Sequence, residues 1–250
     1  MKYGLKGQVM NTINFQELKA SIQDWIALDY IDPKDIPAIE LYMDQVTTFM
    51  DKHLKGNRRA NGDKVLTKTM INNYSKNDLL PPSNKKRYSK DHIILLIYIY
   101  YMKNFLSISD IQSLLEPMTD QYFQAESGIN MQDIYNDIFA LEQQYGIKVR
   151  DSIQDVYEFA DKEFKTEDDY LKTFAMIAML SYDIYEKKQI IERLIDSLRD
   201  TYISENPDKE EKSAKELAKQ REKTAKELAK IREKEAKIQE KAAKKGNKPM

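Results

Sequence analysis

Cysteine is absent from the 250 residues, so neither a disulfide framework nor a thiolate metal site can form, and a reducing, cytoplasmic setting is expected. Histidine occurs only at His53 and His92, too few for an imidazole cluster. Glycine is scarce at seven residues, and the chain has no Gly-rich phosphate loop, no Gly-x-Ser-x-Gly elbow and no His-Glu-x-x-His helix. The spacing of acids such as Asp133 and Asp137, four apart, is expected by chance among 41 carboxylates. The expectation is a chain with no catalytic residues, no metal and no cofactor. Long apolar runs are also few. The longest is cut by Lys103 well before it could span a bilayer, and the opening MKYGLKGQVMNTINF has no apolar leader-like core, so neither membrane insertion nor secretion is expected. Strand-like alternation is missing except around Lys85 to Ser89, which predicts a mostly α fold.

An apolar content of 41% is nonetheless enough for a globular core. The richest segment runs from Leu66 to Leu115. Thr67 or Thr69 can cap a helix in which Met70, Ile71 and Tyr74 recur at spacings of three to four and turn one side inward. Lys68, Asn72, Asn73 and Lys76 fall largely on the other side, where Lys neutralises phosphates and Asn hydrogen-bonds base edges. Pro81-Pro82 lacks the N–H groups a helix needs, so the helix must end near Asp78. Ser83-Asn84 reads as a turn, and Lys85, Lys86 and Arg87 then sit on a short projecting loop or hairpin. Ser89 caps a helix from Ile93 to Leu106 so apolar that it must be buried on most sides. Ser107 to Ile111 reads as a turn plus cap, followed by a short amphipathic helix (Ile111, Leu114, Leu115) that Pro117 stops.

In order and spacing, TMINNYSKNDLLPP at Thr69 to Pro82, KKRYS at Lys85 to Ser89 and FLSISDIQSLLE at Phe105 to Glu116 resemble MerR-type winged helix-turn-helix domains. About Ile31 to Pro117 as a whole is similar to domain-of-unknown-function family 1836, a MerR-like bacterial family. The resemblance implies a cytoplasmic transcriptional regulator that grips double-stranded DNA, forms a homodimer, and places Thr69, Asn72 and Asn73 in the major groove. It also matches Lys86 to a wing residue on phosphate and Tyr88 to the aromatic after it. Charge and location add Lys68, Lys76, Lys85 and Arg87. The Asn-rich face points toward adenine, with which Asn pairs bidentately. Unlike the usual brief first helix, a longer apolar one (Ile39, Met43, Val46, Phe49, Met50) and a basic loop, Lys55 to Lys64, come first.

Charge supports the same segment. Residues 55–90 carry ten Lys/Arg against Asp63 and Asp78, a net of +8, whereas residues 91–204 carry ten against twenty-one Asp/Glu, a net of −11. A phosphate-binding surface needs the first and not the second.

Four stretches result. Residues 1–30 hold an amphipathic helix (Phe15, Leu18, Ile22, Trp25, Ile26) with Trp25 as a core anchor, and 31–117 hold the winged helix-turn-helix. Residues 118–204 form an acidic helical region for dimerisation or effector sensing. There Asn130 caps a stripe of Ile134, Ile138, Leu141, Tyr145, Ile153, Val156, Tyr157 and Phe164, broken at Gly146. Thr166 to Asp169 open a second stripe of Phe174, Ile177, Ala178, Leu180, Ile184, Ile191, Leu194, Ile195 and Leu198. Tyr135, Tyr157, Tyr170, Tyr182 and Tyr185 can line a pocket or simply pack, so a small-molecule effector stays open and unidentified. Residues 205–250 are a Lys/Glu/Ala-rich tail with an eleven-residue repeat starting at Ala214, Ala225 and Ala236, helical in period and coiled-coil-like, though its stripe is mostly alanine. With fifteen Lys/Arg against ten Asp/Glu, it adds non-specific attraction to DNA. The alternative function is an interaction adaptor that uses a helix-turn-helix only as scaffold.

Overall fold

The computed structural model describes residues 14–25, 30–57, 65–165 and 168–209. They are mostly α-helical, in the order α1 (Phe15–Trp25), β1 (Leu41–Tyr42), α2 (Met43–Leu54), α3 (Lys68–Lys76), β2 (Arg87–Tyr88), α4 (Lys90–Met102), α5 (Ile108–Tyr122), α6 (Met131–Glu163) and α7 (Asp169–Glu205), with a 3₁₀ turn at Lys55–Asn57. The strands form one antiparallel pair, Leu41 opposite Tyr88 and Tyr42 opposite Arg87.

Local chemistry sets most helix starts. Gln45 reaches back to the Tyr42 N–H at 2.8 Å, Thr67 Oγ1 accepts from Met70 N–H at 3.2 Å, and Ser107 accepts from Asp110 N–H at 3.1 Å. Asn130 Oδ1 accepts from Gln132 and Asp133, and Asp168 Oδ1 does so from Tyr170 and Leu171. Each satisfies N–H groups that a helix start would otherwise leave unpaired. The start thus falls on Thr67 rather than Thr69, and on Asp168; Thr166 and Glu167 lie outside the described residues.

Two units divide the chain, 1–196 and 197–250. In the first, α4 is the central element: every residue from Asp91 to Tyr100 is buried. Around it pack Ile31, Ile36 and Leu41, the inner faces of α2 and α3, Leu79-Leu80, Tyr88, Ile111 and Leu115 of α5, Met131 and Tyr135 of α6, and Ile195 of α7. The Tyr135 hydroxyl donates to the Ile31 carbonyl at 2.7 Å. A separate cluster joins Phe15 and Ile22 of α1 to Tyr157 and Ala160 of α6 and Met176 of α7, with Phe15 stacked on Tyr157 at 4.7 Å. In the second unit, residues 197–209 are helical but for Asn206, whose side chain donates to the Tyr202 carbonyl at 2.9 Å. The repeat tail lies outside the described residues, as do Ile26 and the side chain of Trp25.

Several sequence expectations are corrected. Pro117 lies inside α5 and does not stop it. Proline removes one backbone hydrogen bond, but Met118 and Phe123 beyond it pack on the core and the Asp91 carboxylate accepts from Gln124 N–H at 2.8 Å, so tertiary contacts carry the helix past the break. The core therefore crosses the boundary expected at 117/118. Gly146 does not break α6 either. The α6 ends are anchored in different clusters, and a glycine penalty of roughly 1 kcal/mol is too small to separate them. Helix α4 ends at Met102 rather than Leu106, with Lys103 capping it and donating to the Val65 carbonyl at 2.8 Å. Ile39 is exposed and precedes β1 rather than joining α2. Leu141, Tyr145, Phe164, Phe174, Ile177, Ile184 and Leu194 are exposed, so much of the expected packing stripe on α6 and α7 faces outward. The tyrosines do not converge: Tyr135 and Tyr157 sit in different clusters, and Tyr170, Tyr182 and Tyr185 are exposed.

A Cβ added at Gly146 would meet only the end of Arg150, at 3.5 Å. Gly146→Ala should therefore raise the unfolding free energy by about 0.5–1 kcal/mol in a urea titration; a loss of stability would mean that α6 requires the glycine's flexibility.

Candidate nucleic-acid interface

On α3, Ile71 and Tyr74 are buried, and the opposite arc holds, in angular order, Lys68, Asn72, Lys76, Thr69 and Asn73, all exposed. The five residues expected from sequence thus share one solvent-facing side. The helix stops through a left-handed residue, Asp78 (φ 55°), after which Leu79 N–H donates to the Tyr74 carbonyl at 2.9 Å. This six-to-one bond is the usual helix terminator, with aspartate where glycine is favoured. The buried side chains of Leu79 and Leu80 then anchor the turn into Pro81-Pro82.

The basic cluster forms a tight hairpin turn. Arg87 N–H donates to the Asn84 carbonyl at 2.8 Å, and Lys85 and Lys86 between them have φ of 49° and 64°. Two consecutive left-handed residues define a type I′ turn, which favours Asn-Gly because a Cβ is penalised at both positions. Here both carry lysine, so the exposed tip holds two cations at a conformational cost.

The N-terminus of α2 links these parts. Its cap residue Tyr42 lies under the Arg87 guanidinium, 5.4 Å from ring centroid to cation, and Asp44 in its first turn pairs with Lys68. The start of α3 and the strand after the hairpin turn therefore meet the same helix end. Sequence reading missed Tyr42 and Asp44, because both partners lie far along the chain and no local spacing signals them. Asp44 offsets part of the Lys68 charge, although an exposed pair of this kind is worth little.

Tyr88 departs from its expected role. Only 5% of its surface is exposed, and its ring packs edge-on against His92 at 5.5 Å. The alternation of a strand turns Arg87 outward and Tyr88 inward, so Tyr88 anchors the hairpin to the core and cannot present its ring to a ligand.

His92 is the hub of that anchor. Its Nδ1 accepts from the Ser89 N–H at 3.0 Å and lies 2.8 Å from Ser89 Oγ, which places the ring proton on Nε2; a second edge contact runs to Phe123 at 4.8 Å. Nε2 is buried without a partner of hydrogen-bond geometry, although the carbonyls of Pro82 and Pro81 lie near enough to favour its proton. Burial dominates and holds the His92 pKa below that of free imidazole, opposed by those carbonyls, Asp91 and Glu40.

Against known proteins, residues 31–138 match the family model DUF1836, described as a domain of unknown function. The match identifies that domain in the chain, extends past Pro117 into α6 and carries no activity with it. No curated protein and no solved structure matches. Among the described residues no helix is long and apolar enough to cross a membrane.

Two outcomes test these structures. Replacing Lys85-Lys86 by Asn-Gly should stabilise the fold by about 1 kcal/mol in chemical denaturation, since the tip loses its left-handed penalty; an unchanged midpoint would remove the strain. For His92 the folded pKa lies below the unfolded value of roughly 6.5. Its contribution is therefore complete above that pH and is lost as pH falls through the folded pKa, because the unfolded chain binds the proton first. His92→Gln, which keeps the reach back to the cap, should flatten the loss of stability between about pH 7 and 5 relative to the parent. Parallel curves would assign the loss to carboxylates instead.

Proposed function

We propose that the DUF1836 segment is a MerR-like winged helix-turn-helix of a non-catalytic transcriptional regulator. In this reading α3 enters the major groove of double-stranded DNA, and the hairpin at Lys85, Lys86 and Arg87 acts as the wing on flanking phosphates. The observation that carries it is the arc of α3: two lysines, two asparagines and a threonine share the one side that the core leaves open. A single helix fits the groove, Asn72 and Asn73 suit adenine edges, and Lys68, Lys76 and the wing cations suit phosphates. Tyr88 holds the wing in place rather than touching DNA. Two copies acting on a two-fold operator complete the reading, with the protein in the cytoplasm.

A second reading, an interaction adaptor, is favoured by the apolar side chains that α6 and α7 expose. Selection of genomic fragments by the purified chain at two salt concentrations separates the two. A regulator enriches one motif, and Lys86→Ala then weakens every duplex and lowers the salt slope by about 1, whereas Asn72→Ala mainly relaxes sequence preference. Absence of enrichment, or equal and sequence-blind losses from both substitutions, would favour the adaptor.

A further inference from the structure

Helix α7 is apolar on two opposite sides. One side carries Met176, Met179 and Leu180 into the cluster with α1 and α6. On the other, Tyr170, Phe174, Ile177, Ala178, Ser181 and Tyr185 recur at spacings of three and four, flanked by Leu171, Tyr182 and Ile184, and all of them are exposed. Phe174 is 59% exposed and Tyr182 66%. An aromatic side chain offers roughly 150–250 Å² to burial, so four aromatics, each more than half exposed, leave on the order of 400–500 Å² uncovered. Adding Leu171, Ile177 and Ile184 brings the patch to roughly 700–900 Å², close to the about 800 Å² that each partner of a stable complex buries. Monomers rarely leave so large a continuous apolar surface open.

We infer that this face is covered by the same face of a second copy, with the two α7 helices antiparallel about a two-fold axis near Ala178. Two features of the stretch favour a self-pairing. Small residues, Ala178 and Ser181, fall at the centre of the exposed face, where the two backbones must approach most closely. Reversal about 178 also opposes Leu171 to Tyr185 and Phe174 to Tyr182, apolar against apolar, which meets the requirement that a two-fold interface be complementary to itself.

The assignment takes up the two-copy part of the proposed function without depending on DNA binding. The first test is light scattering of the full chain at tens of micromolar. A dimer is expected, and Phe174→Lys, which alters an exposed position, should raise the dissociation constant about a hundredfold with helical content unchanged in circular dichroism. Because the chain has no cysteine, Ala178→Cys gives a clean register probe: it should form an intermolecular disulfide, and the exposed control Phe159→Cys on α6 should not. A monomeric parent chain, or a dimer indifferent to Phe174→Lys, overturns the inference. A dimer through α7 that enriches no DNA motif keeps it and removes the regulator reading, and a monomer that does enrich one reverses that result.

Discussion

The fold depends on burying one helix on every side. From Asp91 to Tyr100, α4 offers no face to solvent, so it must be encircled rather than covered. That requirement recruits α2, α3, β2, α5 and parts of α6 and α7 around it. It also decides which side of α3 is left over. Once Ile71 and Tyr74 turn toward α4, the arc from Lys68 to Asn73 has nowhere to go but outward. The candidate interface is in this sense a consequence of core packing, and its chemistry was free to vary because the core makes no use of it.

The N-terminus of α4 joins the polar and apolar parts of the domain. Within three residues, Ser89, Asp91 and His92 hold the backbone of the helix start, the backbone N–H of Gln124 and the rings of Tyr88 and Phe123. A buried carboxylate and a buried imidazole are costly unless bonded, and each here has a backbone partner. The hairpin is thus rigid at its root, through Tyr88, and strained at its tip, where Lys85 and Lys86 occupy left-handed backbone. Lysine stands there where glycine would be easier, a local conflict between residue type and backbone that the buried root of the hairpin sustains.

Helices α6 and α7 obey a different constraint. Each is anchored in both clusters while exposing large apolar side chains between or opposite those anchors, such as Leu141 and Ile147 on α6 and Phe174 and Tyr182 on α7. Apolar surface of that extent is uncommon on a lone chain. In the region expected from sequence to serve dimerisation or sensing, the tyrosines do not converge on one pocket: Tyr135 and Tyr157 pack in different clusters, and Tyr170, Tyr182 and Tyr185 are exposed.

Sequence by itself determined what depends on neighbours a few residues apart. The Asn130 and Ser107 caps, the stop before Pro81-Pro82, the all-round burial of Ile93 to Ile99 and the exposed arc of α3 follow from periodicity, caps and missing N–H groups. What needed the tertiary structure were the outcomes set by distant partners. Pro117 and Gly146 are local breakers that long-range packing overrides, because anchors on both sides outweigh a penalty of roughly 1–3 kcal/mol. Tyr88 reads as an available aromatic until the pairing of β2 with β1 turns it inward. Tyr42 and Asp44 gain their roles only when α2 is set beside α3 and β2. On α7 both apolar faces are written in the same spacing, and only the packing of α1 and α6 decides which one enters the core and which stays open.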